Sequence, residues 1–228
     1  MDFDFEEKYF LKQEINNLLK YQEFIHLLLE SGFVKIIMDW VTPPIDTFID
    51  LLLGLQIITK LLTFNKHIDQ KMLEFGLIER LESLTASTVL TGETECKKCL
   101  CTISVNLQAS DSMVAKEFRN SKLPTLLLNF FCDTPGPSLL NELLDCYRIY
   151  FCNGDSEEAS YFLKNNMPFL EFLLKFMDPK GNKGVNIRSL LILNKILGDE
   201  KNNSKLDERR PFFEFVSESN YIDNLSSL

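Results

Sequence analysis

A short link recurs at near-constant intervals along this chain, and it restricts the fold to one assembled from repeated units. Each copy closes one helical pattern with small or polar residues and opens an apolar pattern at once. The copies are Leu29-Glu30-Ser31-Gly32-Phe33-Val34-Lys35-Ile36, then Leu73-Glu74-Phe75-Gly76-Leu77-Ile78, then Phe118-Arg119-Asn120-Ser121-Lys122-Leu123-Pro124, then Leu163-Lys164-Asn165-Asn166-Met167-Pro168-Phe169. A weaker copy is Val216-Ser217-Glu218-Ser219-Asn220-Tyr221-Ile222. With Gly32, Gly76, Lys122, Asn166 and Asn220 as equivalents, the spacings are 44, 46, 44 and 54 residues. Gly and Asn suit a left-handed residue that ends a helix. Pro124 and Pro168 suit the first turn of the next helix, where the missing N–H has no partner to lose.

Between the links, apolar residues recur at three- and four-residue steps, as in Leu139, Leu140, Leu143, Leu144 and Tyr147, or Ile187, Leu190, Leu191, Leu193, Ile196 and Leu197. Alternating strand patterns are nearly absent, so the whole chain reads as helical. Breaks fall at Thr42-Pro43-Pro44, Thr85 to Thr94, Asp133 to Pro137, Asp178 to Gly181 and Gly198 to Ser204. Ahead of each link stands a longer helix: Phe48–Thr63, Glu95–Gln108, Leu139–Phe151 and Ile187–Leu197. A short polar turn follows each of them, such as Cys152-Asn153-Gly154-Asp155-Ser156.

This unit of long helix, polar turn, second helix, link and third helix resembles the armadillo repeat, and the period falls within the roughly 40–47 residues of armadillo and HEAT units. The segments Ile103-Ser104-Val105-Asn106-Leu107 and Leu191-Ile192-Leu193-Asn194-Lys195-Ile196 look like the family's third helix, which often carries an asparagine near its end. The resemblance covers about residues 24 to 225. It implies an all-α, right-handed solenoid of about four to five repeats, a single domain over 1–228 with 1–23 as an N-terminal capping helix. The tryptophan that accompanies the asparagine in nuclear-import receptors is missing, because Trp40 lies outside that position.

The formal net charge is −9, from 33 acidic and 24 basic residues. That balance argues against nucleic acid and against an anionic membrane surface, both of which need clustered Lys and Arg. The acidic start, Met1-Asp2-Phe3-Asp4-Phe5-Glu6-Glu7, is unlike a secretory leader. The longest apolar stretch, Leu51 to Leu62, is interrupted by Gln56, Thr59 and Lys60. The expectation is a soluble chain of the cytoplasm, with the nucleus also open, whose 6 Cys are free thiols.

Chemical motifs are sparse. The 2 His occupy an apolar run (His26) and a polar turn (His67), without the partners of a catalytic triad. No phosphate-binding glycine loop is present. The sharpest local feature is Cys96-Lys97-Lys98-Cys99-Leu100-Cys101, which spaces two thiols like half a zinc site. No second close pair completes it, and the same three-residue step makes both thiols core residues of one helix face. The expectation is therefore no catalytic residue, no metal and no cofactor.

Polar residues stand in lines on the long helices. One line is Gln56, Lys60 and Thr63; another is Glu95, Lys98, Thr102 and Asn106; a third is Asn141, Asp145, Arg148 and Cys152; the last holds Arg188, Asn194 and Lys195. In armadillo proteins the corresponding helices line a concave groove, so the resemblance implies a partner site of Gln56, Lys60, Lys98, Thr102, Asn106, Asn141, Arg148, Arg188, Asn194 and Lys195. Read as plain amphipathic helices, the same lines are solvated faces. The leading functional reading is a non-enzymatic scaffold for an extended peptide or partner protein, acidic in character, with no small-molecule substrate. A second reading is a nucleotide-exchange regulator of a DnaK-type heat-shock chaperone ATPase, implied by similarity in size and repeat number to armadillo-type exchange factors. A third, a thiol or zinc-dependent enzyme, rests on the Cys96 cluster alone.

Overall fold

The computed structural model describes residues 5–45, 47–64, 68–110, 112–132, 135–177 and 181–203. His67 and the weak fifth link, Val216 to Ile222, lie outside them. Among the described residues every regular element is a helix. In chain order these are α1 (Phe5–Leu18), α2 (Gln22–Glu30), α3 (Phe33–Trp40), α4 (Phe48–Phe64), α5 (Ile68–Glu74), α6 (Leu77–Ala86), α7 (Thr94–Ala109), α8 (Ser112–Asn120), α9 (Leu123–Leu127), α10 (Asn129–Cys132), α11 (Pro137–Asn153), α12 (Ser156–Asn165), α13 (Pro168–Phe176) and α14 (Lys183–Asn203), with a 3-10 turn at Thr88–Leu90. None is long and apolar enough to cross a membrane. The chain divides into two compact units, Met1–Leu127 and Leu128–Leu228.

In the first unit, long helix α4 packs between α1 and α7, while α3 lies on α4, α6 on α9 and α8 on α7. Leu51, Leu55, Ile57, Ile58 and Leu61 of α4 are fully buried, as are Leu100, Ile103 and Leu107 of α7, while Ile49 of α4 is exposed. Each such buried side chain contributes about 1.5–3 kcal/mol relative to exposure. The links at Gly32 and Gly76 have φ of 72° and 73°, the left-handed geometry that lets α3 and α6 leave at a sharp angle.

Two further contacts hold the first unit's helices in place. Arg80 of α6 donates from Nε to the Phe75 carbonyl at 3.2 Å and from Nη1 to the Met38 carbonyl and Asp39 Oδ1, each at 3.0 Å, and it also contacts the Thr42 hydroxyl. One guanidinium thus closes the carbonyl end of α3, a repeat earlier. Gly54, in the middle of α4, sits where a Cβ would lie 2.8 Å from Cγ1 of the fully buried Val41. That missing Cβ allows the end of α3 to approach the α4 backbone.

In the second unit, α11 packs along α14, and α12 and α13 also pack on α14. Its core is aromatic: Phe169 of α13 lies 4.7 Å from the Tyr147 ring, 5.5 Å from Phe151, 5.8 Å from Phe162 and 6.3 Å from Phe131. Helix α12 starts at a capping box, in which Asp155 accepts the Glu158 N–H and Glu158 accepts the Asp155 N–H. The link at Asn166 does not use the left-handed geometry expected of it. Its φ is −136°, and its buried side chain donates to the Phe162 carbonyl at 2.9 Å, closing the helix end without a positive φ. Helix α14 also runs through Gly198, where a break is expected. A single glycine costs a helix only about 1 kcal/mol, too little to stop it.

Two substitutions test this packing. Phe169→Ala removes the ring shared by four aromatic neighbours and should cost about 3–5 kcal/mol; a loss below about 1 kcal/mol in urea denaturation would mean the cluster is not packed as described. Gly54→Ala gains up to about 1 kcal/mol of helix propensity but overpacks against Val41, a cost of about 1–3 kcal/mol. The net effect should be a lowered melting temperature, and a raised one would contradict the close approach.

Candidate functional site

The polar lines remain outside on the long helices because the opposite face of each is buried; half-buried Leu52, Leu53, Val105 and Ile149 share the outer face with them. On α11, Leu139, Leu140, Leu143, Leu144, Cys146, Tyr147, Tyr150 and Phe151 are buried, which leaves Asn141, Asp145, Arg148 and Cys152 at three- and four-residue steps. The same phase leaves Gln56, Lys60 and Thr63 outside on α4, and Glu95, Lys98, Thr102 and Asn106 on α7. On α14 it leaves Arg188, Leu191, Asn194 and Lys195. All ten residues expected at a partner site are half-buried or exposed, and none is in the core.

Bonds between consecutive long helices repeat along these lines. In the first unit Lys60 Nζ donates to the Asn16 carbonyl of α1 at 2.9 Å, and Asn106 Nδ2 donates to Thr63 Oγ1 of α4 at 3.2 Å. In the second unit Arg188 Nε donates to Asp145 Oδ2 of α11 at 2.8 Å. These partners are 44, 43 and 43 residues apart, one repeat in each case. Other contacts stay within one helix. Lys98 pairs with Glu95 at 2.8 Å, Arg148 with Asp145 at 3.2 Å, and the Thr102 hydroxyl donates to the Lys98 carbonyl at 3.0 Å. Gln56 and Asn194 make no side-chain hydrogen bond among the described residues, and Asn141 Oδ1 is buried without a partner.

Counting cations alone misjudges the charge of these faces. Lys98 is paired with Glu95, and Arg148 and Arg188 share Asp145. Glu95 with Lys98, and Asp145 with Arg148, stand in the same sequence lines, so the i, i+3 spacing already signals those two pairs, whereas Arg188 reaches Asp145 from another helix. A second signal escapes the sequence. Of the apolar residues of α14, Ile192, Leu193 and Ile196 are buried, whereas Ile187 and Leu191 are 58% and 49% exposed on the polar line. An unbroken run from Leu190 to Leu193 does not reveal its own phase.

The cysteines occupy different surroundings. None of the six forms a disulfide; Cys96, Cys101 and Cys146 are buried, Cys99 is half-buried, and Cys132 and Cys152 are exposed. Burial pushes the Cys96 thiol up to about 12, helped by Cys99, Glu93 and Glu95. No group of His, Cys, Asp and Glu among the described residues could hold a metal ion. His26 is exposed on α2. An open cleft of about 490 Å³ between α6 and α8 carries Glu79, Glu82 and Glu117 around Lys116, with Met113 and Ile78 beside them.

No protein-family model and no curated protein matches this chain. Solved structures do. A designed armadillo repeat protein, YIII(Dq)4CqI, has a TM-score of 0.72 and 14% identity, covering 88% of this chain and 82% of that one. A computationally designed armadillo repeat protein for modular peptide recognition also has a TM-score of 0.72 and 14% identity, with 87% and 81% covered. A third, YIII(Dq.V1)4CPAF in complex with the peptide (KR)4, has a TM-score of 0.71 and 13% identity, with 90% and 89% covered.

The fold is an armadillo-like repeat solenoid.

Its recurring three-helix unit runs α4–α5–α6, then α7–α8 with α9, then α11–α12–α13, and α14 is the next long helix. Of the α7 thiols in this armadillo-like chain, Cys96 and Cys101 pack in the core, whereas Cys99, expected there with Cys96, is only half-buried. A thiol raised to about 12 has almost no thiolate at neutral pH, and the thiolate is the reactive form. Alkylation at pH 8 followed by peptide mapping should therefore modify Cys132 and Cys152 first and Cys96 last. Early modification of Cys96 would show that its helix is not packed as described.

Proposed function

We propose that this chain is a non-enzymatic scaffold that holds an extended peptide, or an extended segment of a partner protein, along the polar lines of its long helices. The observation that carries this reading is that, within each unit, polar bonds one repeat apart join the lines of neighbouring helices. Such a surface offers side-chain amides and hydroxyls at regular spacing, and an extended backbone presents N–H and C=O groups at regular spacing. Gln56, Thr102, Asn106, Asn141 and Asn194 would bond the peptide backbone. Lys60, Lys98, Arg148, Arg188 and Lys195 would bond its carboxylates, which makes an acidic segment the preferred partner. Peptide recognition by two of the similar designed proteins supports the general mode. The basic peptide bound by one of them belongs to that protein's own side chains.

The test is selection from a random peptide library, followed by calorimetry of the retained peptides. Replacing Asn106, Asn141 and Asn194 together by Ala removes three backbone-bonding amides. At about 0.5–1.5 kcal/mol each, their loss should weaken binding by at least about tenfold while the helical circular dichroism persists. Unchanged affinity would refute the proposed face.

A further inference from the structure

We infer that Asp145 is an internal competitor that sets how strongly the α11–α14 face takes a carboxylate from its partner. The inference rests on the reading of that face as a peptide-binding surface. Asp145 lies between two arginines from consecutive long helices, and each takes a different oxygen: Arg148 Nε bonds Oδ1 at 3.2 Å and Arg188 Nε bonds Oδ2 at 2.8 Å. Arg188 also donates from Nη1 to the Gly184 carbonyl at 3.2 Å. The arginine side chains are 35% and 31% exposed, and Asp145 is 27% exposed. The arrangement is thus a half-open ion bridge, with further N–H groups on both guanidinium forks.

The charge balance gives this bridge its role. Arg148 and Arg188 share the single carboxylate of Asp145, so the three-residue bridge carries one net positive charge on a chain of net charge −9. Arginine forks match carboxylates in geometry. Half-exposed ion pairs hold weakly, so an incoming carboxylate can draw the forks away from Asp145 without disturbing the helices. The partner's acid then takes up an interaction that Asp145 already makes. Affinity is limited by that exchange. Asp145→Asn keeps the shape, ends the competition and doubles the net positive charge.

The experiment uses two labelled probes, an all-glutamate octapeptide and the (KR)4 peptide, with fluorescence anisotropy at two salt concentrations. Asp145→Asn should bind the glutamate probe about tenfold more tightly than wild type, with a steeper salt dependence, and should bind (KR)4 no more tightly. Glu157→Gln, an exposed change of equal charge on α12, should stay within about twofold of wild type. Adding Arg148→Gln and Arg188→Gln to Asp145→Asn should abolish the gain. Asp145→Ser serves as a second variant should the asparagine protein melt early. Binding of the glutamate probe that is equal in wild type and both Asp145 variants overturns this inference and leaves the peptide-binding reading in place. An equal gain in Glu157→Gln also overturns it. Absence of binding of either probe to any of the proteins overturns both.

Discussion

No helix in this chain can bury its own apolar stripe, so each one depends on a neighbour supplied by the next part of the sequence. Helix α4 finds α1 on one side and α7 on the other, and α11 finds α14. The dependence is between nearest neighbours, as in other repeat proteins, and it explains why the links have so little freedom. A link must end one helix and start the next at a fixed angle, or the stripe of the following long helix turns away from its partner. Gly32 and Gly76 meet that demand with a left-handed residue, and Asn166 meets it with a side-chain bond to the Phe162 carbonyl.

Burial on these terms leaves one phase of every long helix outside, and the same phase each time. What occupies it is then decided by electrostatics. The cations on this line are held by Glu95, by Asp145 and by the Asn16 carbonyl. The outcome is a surface of paired charges, with the amides of Gln56 and Asn194 beside them.

The fold was legible because its signals repeat. The link period, the long helices and the first-turn prolines each recur, and the structure starts α13 at Pro168 and ends α4, α7 and α11 within one or two residues of their sequence limits. The partly exposed standing of all ten candidate residues was legible for the same reason, since the apolar phase excludes them from the core. Pairing across helices was not legible. Whether Arg188 reaches Asp145 depends on the axial offset of α11 and α14, which no local pattern encodes. The phase of α14 was obscured by Leu190 to Leu193, which offers apolar residues to every side, so the exposure of Ile187 and Leu191 is set by tertiary packing alone.

Arg80 has a mechanical consequence. It belongs to the link that opens α6, yet three of its contacts are with the end of α3 and the residues just after it. A tensile load on α3 is therefore carried in part by α6, through a fork of bonds to the Met38 carbonyl and to the Asp39 and Thr42 side chains. Those bonds lie in parallel with the helix packing, so they must yield together rather than one after another. Under a pulling force the α3 end and the α6 link would give way in one step, making this corner a shear clamp in an otherwise gradually unzipping array.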